Sequence, residues 1–343
     1  MQILIVGGTK FIGPPVVRRL VAMGHDVTIF HRGKTKAELP DRVRQIVGDR
    51  AQLPEFRSEF EKIAPHVVLD TILYSNKDAQ LTMDTFKGIA KRVVAISSMD
   101  VYRAYGIMLG LESGSIEPVP LTEASDLRSA FYPFKNFPVT PLEGASADYE
   151  KIFVEQVIMK DGALPGTIVR LPMIYGEGDP LNRFLPYLKR MDDNRPAIVL
   201  EEGIAQWRGP WGYVENVAAA IALAVTNDRA IGRIYHIAEP ENPSELERVS
   251  KIGEISGWDG KVIAISREKL PEGWNIPFNT AQHWSVDSSR IRQELGYHEV
   301  VPPDEAIQKT IDWTRSRASQ EISPFAAPGL LDYATEDAIL SQL

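Results

Sequence analysis

QILIVGGTKFIG, residues 2–13, joins a short unbroken apolar run to a glycine-rich turn. Such a run suits a parallel strand covered on both faces. Gly7 permits a tight turn at the strand end, and Gly13, six residues on, lets a following helix pack close to that strand. Amides at the helix start would then face a phosphate. Pro14 and Pro15 fit the first turn of a helix beginning near Ile12, because amides there have no helical partner. The amphipathic stretch PPVVRRLVAM continues to Gly24, which suits the residue just past a helix end.

Outward from this turn the pattern repeats. Further strand-like runs are DVTIF (26–30), VRQIV (43–47), HVVLD (66–70), RVVAIS (92–97) and GTIVRL (166–171), separated by helical stretches. RIYHIAE (233–239) reads as a strand returning to the same sheet. Alternating βαβ units predict an α/β, doubly wound parallel sheet (a Rossmann fold) with ligand at the strand carboxyl ends. The expected division is a dinucleotide-binding domain over 1–171, with its return strand near 231–239. A smaller substrate lobe would comprise 172–230 and 240–343. The segment 103–146, rich in Pro and Ser without periodicity, is expected to be a structureless active-site flap.

The end of the second strand reports on cofactor type. An acidic residue there suits the ribose 2′-hydroxyl of NAD, and arginine suits the 2′-phosphate of NADP. IFHRGK (29–34) carries no carboxylate but has Arg32 and Lys34, and Lys10 replaces a glycine within the turn. A phosphate needs cations, and guanidinium meets it bidentately. The cofactor expectation is therefore NADP, with NAD the alternative. Gly7, Thr9, Lys10, Phe11, Ile12 and Gly13 form the turn, and Arg32 and Lys34 read the phosphate. Asp49, in VGDR, would accept from the adenine amino group.

Five motifs in order, GGTKFIG, GD (48–49), AISSMDVY (95–102), KIFVE (151–155) and RLPMIYGEGDP (170–180), carry a family resemblance. The chain resembles the extended short-chain dehydrogenases of the NAD(P)-dependent epimerase/dehydratase family over residues 1 to about 240. That resemblance implies a Ser, a Tyr and a Lys four residues after the Tyr. The Tyr exchanges a proton with substrate, and the Lys holds the nicotinamide ribose and lowers the Tyr pKa. Ser98 and Lys151 take the Ser and Lys places, and Pro172 begins the loop beside the nicotinamide. The Tyr place falls on Ala147, so a tyrosine at 147 would restore the family spacing. Tyr149 is two residues from Lys151, about 200° away on a regular helix. A late helix start would let Tyr149 reach in; Tyr132 of the flap, Tyr102 or Tyr105 are alternatives. Arg183 and Arg208 are candidates to hold an anionic substrate group, such as the pyrophosphate of a nucleotide sugar.

Composition narrows the classes. The 343 residues are 44% hydrophobic and 24% charged, with no cysteine and a net charge of -8. Disulfides and thiolate metal sites are excluded, and a reducing cytoplasm is expected. No run approaches the roughly 18 to 20 apolar residues of a membrane span, and no signal peptide is evident. The six histidines lack ligand spacing, so no metal is expected. There is no GxSxG elbow. Apolar residues on several sides of a helix near 149–160 (Ile152, Phe153, Val154, Val157, Ile158) suggest a homodimer. The expected activity is epimerisation, dehydration or reduction of a nucleotide sugar or similar polyol. A catalytically degenerate sensor or scaffold, or an RNA-binding protein, is the alternative. The chloroplast stem-loop RNA-binding branch of the family shares the GGT-basic-FIG turn, the lost tyrosine and an acidic stretch like ATEDAIL (334–340). Net acidity and the lack of basic runs with interleaved aromatics weigh against RNA.

Overall fold

The computed structural model describes residues 1–135, 147–274, 278–317 and 331–342. Its strands are β1 (Gln2–Val6), β2 (Asp26–His31), β3 (Arg44–Val47), β4 (Val67–Asp70), β5 (Arg92–Ser98), β6 (Gly166–Leu171), β7 (Met173–Tyr175), β8 (Ala197–Glu201), β9 (Trp211–Tyr213), β10 (Ile234–His236) and β11 (Lys261–Ile265). Seven of them form one sheet in the order β10-β6-β5-β4-β1-β2-β3, parallel throughout. The order reverses direction between β1 and β4, so the crevice of a doubly wound fold opens there. Register aligns Val6 with Phe30 and Asp70, Asp70 with Ala95, and Ser98 with Leu171. The site candidates therefore share one edge of the sheet.

The helices are α1 (Gly13–Ala22), α2 (Arg57–Ile63), α3 (Asn76–Phe86), α4 (Arg103–Met108), α5 (Lys151–Lys160), α6 (Leu185–Asp192), α7 (Glu202–Gln206), α8 (Val214–Thr226), α9 (Glu245–Ser256), α10 (Ser289–Leu295), α11 (Pro303–Arg315) and α12 (Tyr333–Leu340). Side chains of β1 alternate between two cores. Ile3 and Ile5 pack with α1 and α8 through Val16, Val17, Leu20 and Ile221. Leu4 and Val6 face the other side, with Phe60, Met83, Phe86, Val154 and Ile158 of α2, α3 and α5. Burial on both faces explains why the strand is apolar from Ile3 to Val6. Burying one such side chain is worth about 1.5–3 kcal/mol. α8, inside the stretch assigned from sequence to the smaller lobe, lies against α1. The lobe has two short parallel pairs, β8 with β11 and β7 with β9. No helix among the described residues is long and apolar enough to cross a membrane.

Three expectations need correction. The return strand is shorter than 233–239, covering Ile234–His236 beside β6. The 103–146 segment is not structureless where described. It begins with α4 and is tied down by bridges from Tyr102 to Leu127 and Leu121 to Val286; residues 136–146 lie outside the described residues. The helix near 149–160 begins only at Lys151.

A buried polar chain joins β10 to β6 and α5. The Nδ1 of His236 lies 2.8 Å from the Asp287 carbonyl oxygen and donates to it, leaving Nε2 to accept from the Tyr102 hydroxyl. Arg170 donates to that hydroxyl and to Glu155 at 2.9 and 2.7 Å. Burial holds His236 down at about 3, against an ordinary value of 6.5. Because the folded pKa is depressed, this stabilisation is present above pH 6.5 and lost as pH falls toward the folded value. Between pH 6.5 and 4.5 the loss is about 2–3 kcal/mol. Urea unfolding at the two pH values should show it, and His236→Gln, which keeps a donor and an acceptor but does not titrate, should lack that component.

Candidate functional site

The turn after β1 is shaped by forced close approaches. Gly7 and Gly8 have φ of +95° and +83°. A Cβ on Gly13 would lie 2.4 Å from the Gly8 carbonyl carbon, so only glycine brings α1 this close to the strand end. The phosphate-facing amides expected from α1 are largely missing. Pro14 and Pro15 have no N–H, and Gly13 donates to the Lys10 carbonyl oxygen at 2.8 Å. Donors for a phosphate must come from the turn itself, Thr9 to Ile12, and from the exposed Lys10 side chain. Phe11, at φ +43°, turns beneath the loop after β7, where Gly178 comes within contact of its ring. Pro172 lies between β6 and β7 and sits against Gly212 of β9.

Arg32 and Lys34 are exposed just past β2, on either side of Gly33, whose amide donates to His31 Nδ1 at 3.2 Å. Asp49 is exposed, and one of its oxygens caps the next turn by accepting from the Ala51 amide at 2.9 Å. Its neighbour Arg50 was not singled out from sequence. It grips the buried Asp70 at 2.8–2.9 Å and also reaches Asp78 and Thr82. The signal was the acid ending HVVLD, a charge at the close of a buried strand that needs a partner.

Ser98, Tyr149 and Lys151 come together at the end of β5. Asp148 to Glu150 precede α5, and Glu150 is extended, at φ −157° and ψ 101°. The helical angle that separates Tyr149 from Lys151 therefore does not apply. Glu150 enforces this path. Its carboxylate caps α5 through the Ile152 amide at 3.0 Å, accepts from the Tyr132 amide at 2.8 Å, and pairs bidentately with Arg128. Tyr149 is 1% exposed, and its hydroxyl donates to Asp100 Oδ2 at 2.6 Å. Ser98 Oγ sits at the same place, accepting from the Asp100 amide at 3.2 Å. Burial and the Asp100 carboxylate push the Tyr149 phenol well above its ordinary 10. The Lys151 ammonium donates to the Leu73 and Ile96 carbonyl oxygens at 2.5 and 2.8 Å, and burial brings it down to about 8. It lies 5.8 Å from the Tyr149 ring centre, over the face.

The family model for the NAD dependent epimerase/dehydratase family matches residues 3–238. The chain belongs to that family. A 2′-dehydrokanamycin reductase of Streptomyces kanamyceticus is 27% identical, the alignment covering 79% of this chain and 71% of that protein. The chloroplast stem-loop binding protein of 41 kDa b of Arabidopsis thaliana is 25% identical, over 99% of this chain and 84% of that one. Among solved structures, the UDP-glucuronic acid 4-epimerase of Bacillus cereus, in complex with UDP-glucuronic acid and NAD, aligns with a TM-score of 0.65 at 18% identity. That alignment covers 92% of this chain and 99% of that one. The family frame explains the sheet and its turn, and it makes the departure at Ala147 sharper. Ala147 is exposed in a turn before the extended segment, so a tyrosine there would not lie one helical turn before Lys151.

The other candidates stand apart from this cluster or are occupied. Tyr132, at φ +59°, is 38% exposed and packs edge-on to Phe153, with centres 6.0 Å apart. Tyr102 belongs to the His236 chain, and Tyr105 packs on Trp284. Arg183 donates to Asp179 at 2.6 Å and to the Ile174 carbonyl at 2.7 Å. Arg208 is held by the Asn242 carbonyl at 2.6 Å and Glu247 at 3.2 Å. No cluster of three metal-ligating side chains occurs among the described residues. The Gly8–Gly13 contact yields a direct check: Gly13→Ala should lower unfolding stability by about 1–3 kcal/mol through overpacking. Thermal denaturation measures it, and the same change at the solvent-facing Gly162, which has no neighbour within 4 Å, serves as control.

Proposed function

We propose that this chain is an NADP(H)-linked oxidoreductase that transfers hydride at a ketone or hydroxyl of a sugar-like polyol. The convergence of Ser98, Tyr149 and Lys151 at the carboxyl end of β5 carries this reading. The forced glycine turn fits a dinucleotide, because a Cβ at Gly7 or Gly13 would collide with Thr71 or the Gly8 backbone and push the turn away from the strand end. Bound nicotinamide supplies or takes the hydride. Lys10, Arg32 and Lys34 favour the 2′-phosphorylated form, and Asp49 keeps one oxygen for the adenine amino group. Tyr149 exchanges the proton, Ser98 hydrogen-bonds the substrate oxygen, and Lys151 faces the nicotinamide ribose. The Phe134 ring, 5.1 Å from that of Tyr149, is displaced when substrate reaches the hydroxyl.

Reduction of a sugar ketone is favoured over epimerisation. The relative named for reduction of an aminoglycoside is similar over most of the chain, whereas the nucleotide-sugar enzymes in solved structures share the fold alone. Arg183 and Arg208 already carry carboxylate partners, which leaves less positive charge for a diphosphate. A nucleotide sugar is the second substrate class. Partly exposed Phe153 and Val157 on α5 suit a homodimer in the cytoplasm. The whole-length similarity to a stem-loop binding protein supports RNA binding as the competing reading.

Fluorescence titration should show NADPH binding at least about tenfold tighter than NADH, with Lys10→Ala or Arg32→Ala each weakening NADPH about tenfold and NADH little. Turnover of ketosugars with NADPH, or of UDP-glucose and unphosphorylated polyols with NADP, should drop about 100-fold or more in Tyr149→Phe and Lys151→Met. Absence of nicotinamide binding, with salt-sensitive retention of structured RNA, would replace this reading by the RNA one.

A further inference from the structure

Resting on the oxidoreductase reading, we infer that Asp100 is a positioning residue that acts through Tyr149, taking the phenolic proton when substrate is oxidised and giving it back when substrate is reduced. Three observations lead there. The Tyr149 hydroxyl donates to Asp100 Oδ2 at 2.6 Å, a short charge-assisted bond. The other oxygen, Oδ1, is buried and has no hydrogen-bond partner among the described residues. The lysine that would serve the phenol in this family is spent elsewhere, on the Leu73 and Ile96 carbonyls, and meets the Tyr149 ring by its face.

The charged surroundings leave Asp100 undercompensated. Arg128 is 4.0 Å away, but its guanidinium is committed to Glu150 and to the Asp100 carbonyl oxygen. Lys151 is the other cation in range, and it answers to Asp70 and Glu155 as well. From α4, Tyr105 faces the carboxylate without charge to offer, and Ser98 bonds the Asp100 amide, accepting from it at 3.2 Å. Burial therefore raises the Asp100 carboxyl above its ordinary 3.8. A raised carboxyl is a better proton acceptor, which narrows the gap to the phenol beside it.

The transfer balances. In oxidation the substrate hydroxyl gives its proton to the Tyr149 oxygen as the tyrosine's own proton passes to Asp100 Oδ2, and the carbinol hydride goes to the oxidised nicotinamide. Reduction runs the same moves backward. Asp100 thus plays for Tyr149 the part a carboxylate plays behind a general base, and the chain needs no tyrosine at position 147.

Infrared difference titration of the full chain between pH 5 and 9 tests this without substrate. The wild type should show the carbonyl stretch of a buried protonated carboxylic acid that ionises above the ordinary aspartate value of 3.8. Asp100→Asn should remove the band, and Tyr149→Phe should move its midpoint upward, because the lost hydrogen bond favoured the ionised form. With turnover available, Asp100→Asn should lower kcat about 100-fold, erase the acidic limb of the pH profile in the oxidation direction, where the carboxylate must accept the proton, and leave KM and the NADP Kd within about twofold. A carboxylate that stays ionised throughout, or a band indifferent to Tyr149→Phe, overturns the relay even if Asp100→Asn does not fold. Wild-type kcat and an intact acidic limb in Asp100→Asn do the same. Failure of NADPH to bind would instead strike the oxidoreductase reading, while the infrared result stands apart.

Discussion

Glu150 is a fully buried carboxylate, and everything at the mouth of the sheet is arranged around it. Its two oxygens satisfy the Arg128 guanidinium, the first free amide of α5 and the Tyr132 amide of the flap. A charge taken from water without such partners costs several kcal/mol, so the three segments cannot separate cheaply. The same contacts hold Glu150 extended and delay the helix to Lys151. That delay is what aims Tyr149 at Ser98 and Asp100. One carboxylate thus caps a helix, anchors a loop and orients a phenol.

The sheet edge holds its other charges in two groups on β4 and on β5/β6. Asp70 is neutralised by Arg50, and Glu155 by Arg170, each with further hydrogen bonds to hydroxyls. Both pairs are satisfied, as buried ions must be. Asp100 is different, since its strongest contact is a neutral phenol and one oxygen is left over. A buried network with one unsatisfied member is a common mark of a working site. The contrast separates charges that hold the fold from the one charge poised to change.

Membership in the NAD dependent epimerase/dehydratase family accounts for the sheet, the crossover order and the glycine turn. It does not by itself assign the reaction, because the family grafts different chemistries on one scaffold. Here Tyr149 lies in the segment before α5, with its hydroxyl on Asp100 and the Lys151 ammonium over its ring. A phenol placed before a helix answers to different neighbours from one on the helix.

Local pattern determined most of the architecture. The runs at 2–6 and 166–171 match β1 and β6 residue for residue, since burial on both faces keeps most of their positions apolar. The glycine turn, the prolines opening α1 and Gly24 behind it were legible for the same reason, each being a backbone requirement met within a few residues. Ser98 and Lys151 were legible as places in a motif. The partners were not. That Arg50 meets Asp70, that Arg183 and Arg208 are occupied, and that Tyr149 meets Asp100 depend on contacts between segments 4 to 49 residues apart in the chain. Hydrogen bonds of that kind have no period to read. Only the tertiary fold, by holding Glu150 extended in a buried ion pair with Arg128, decided which groups the Tyr149 hydroxyl meets.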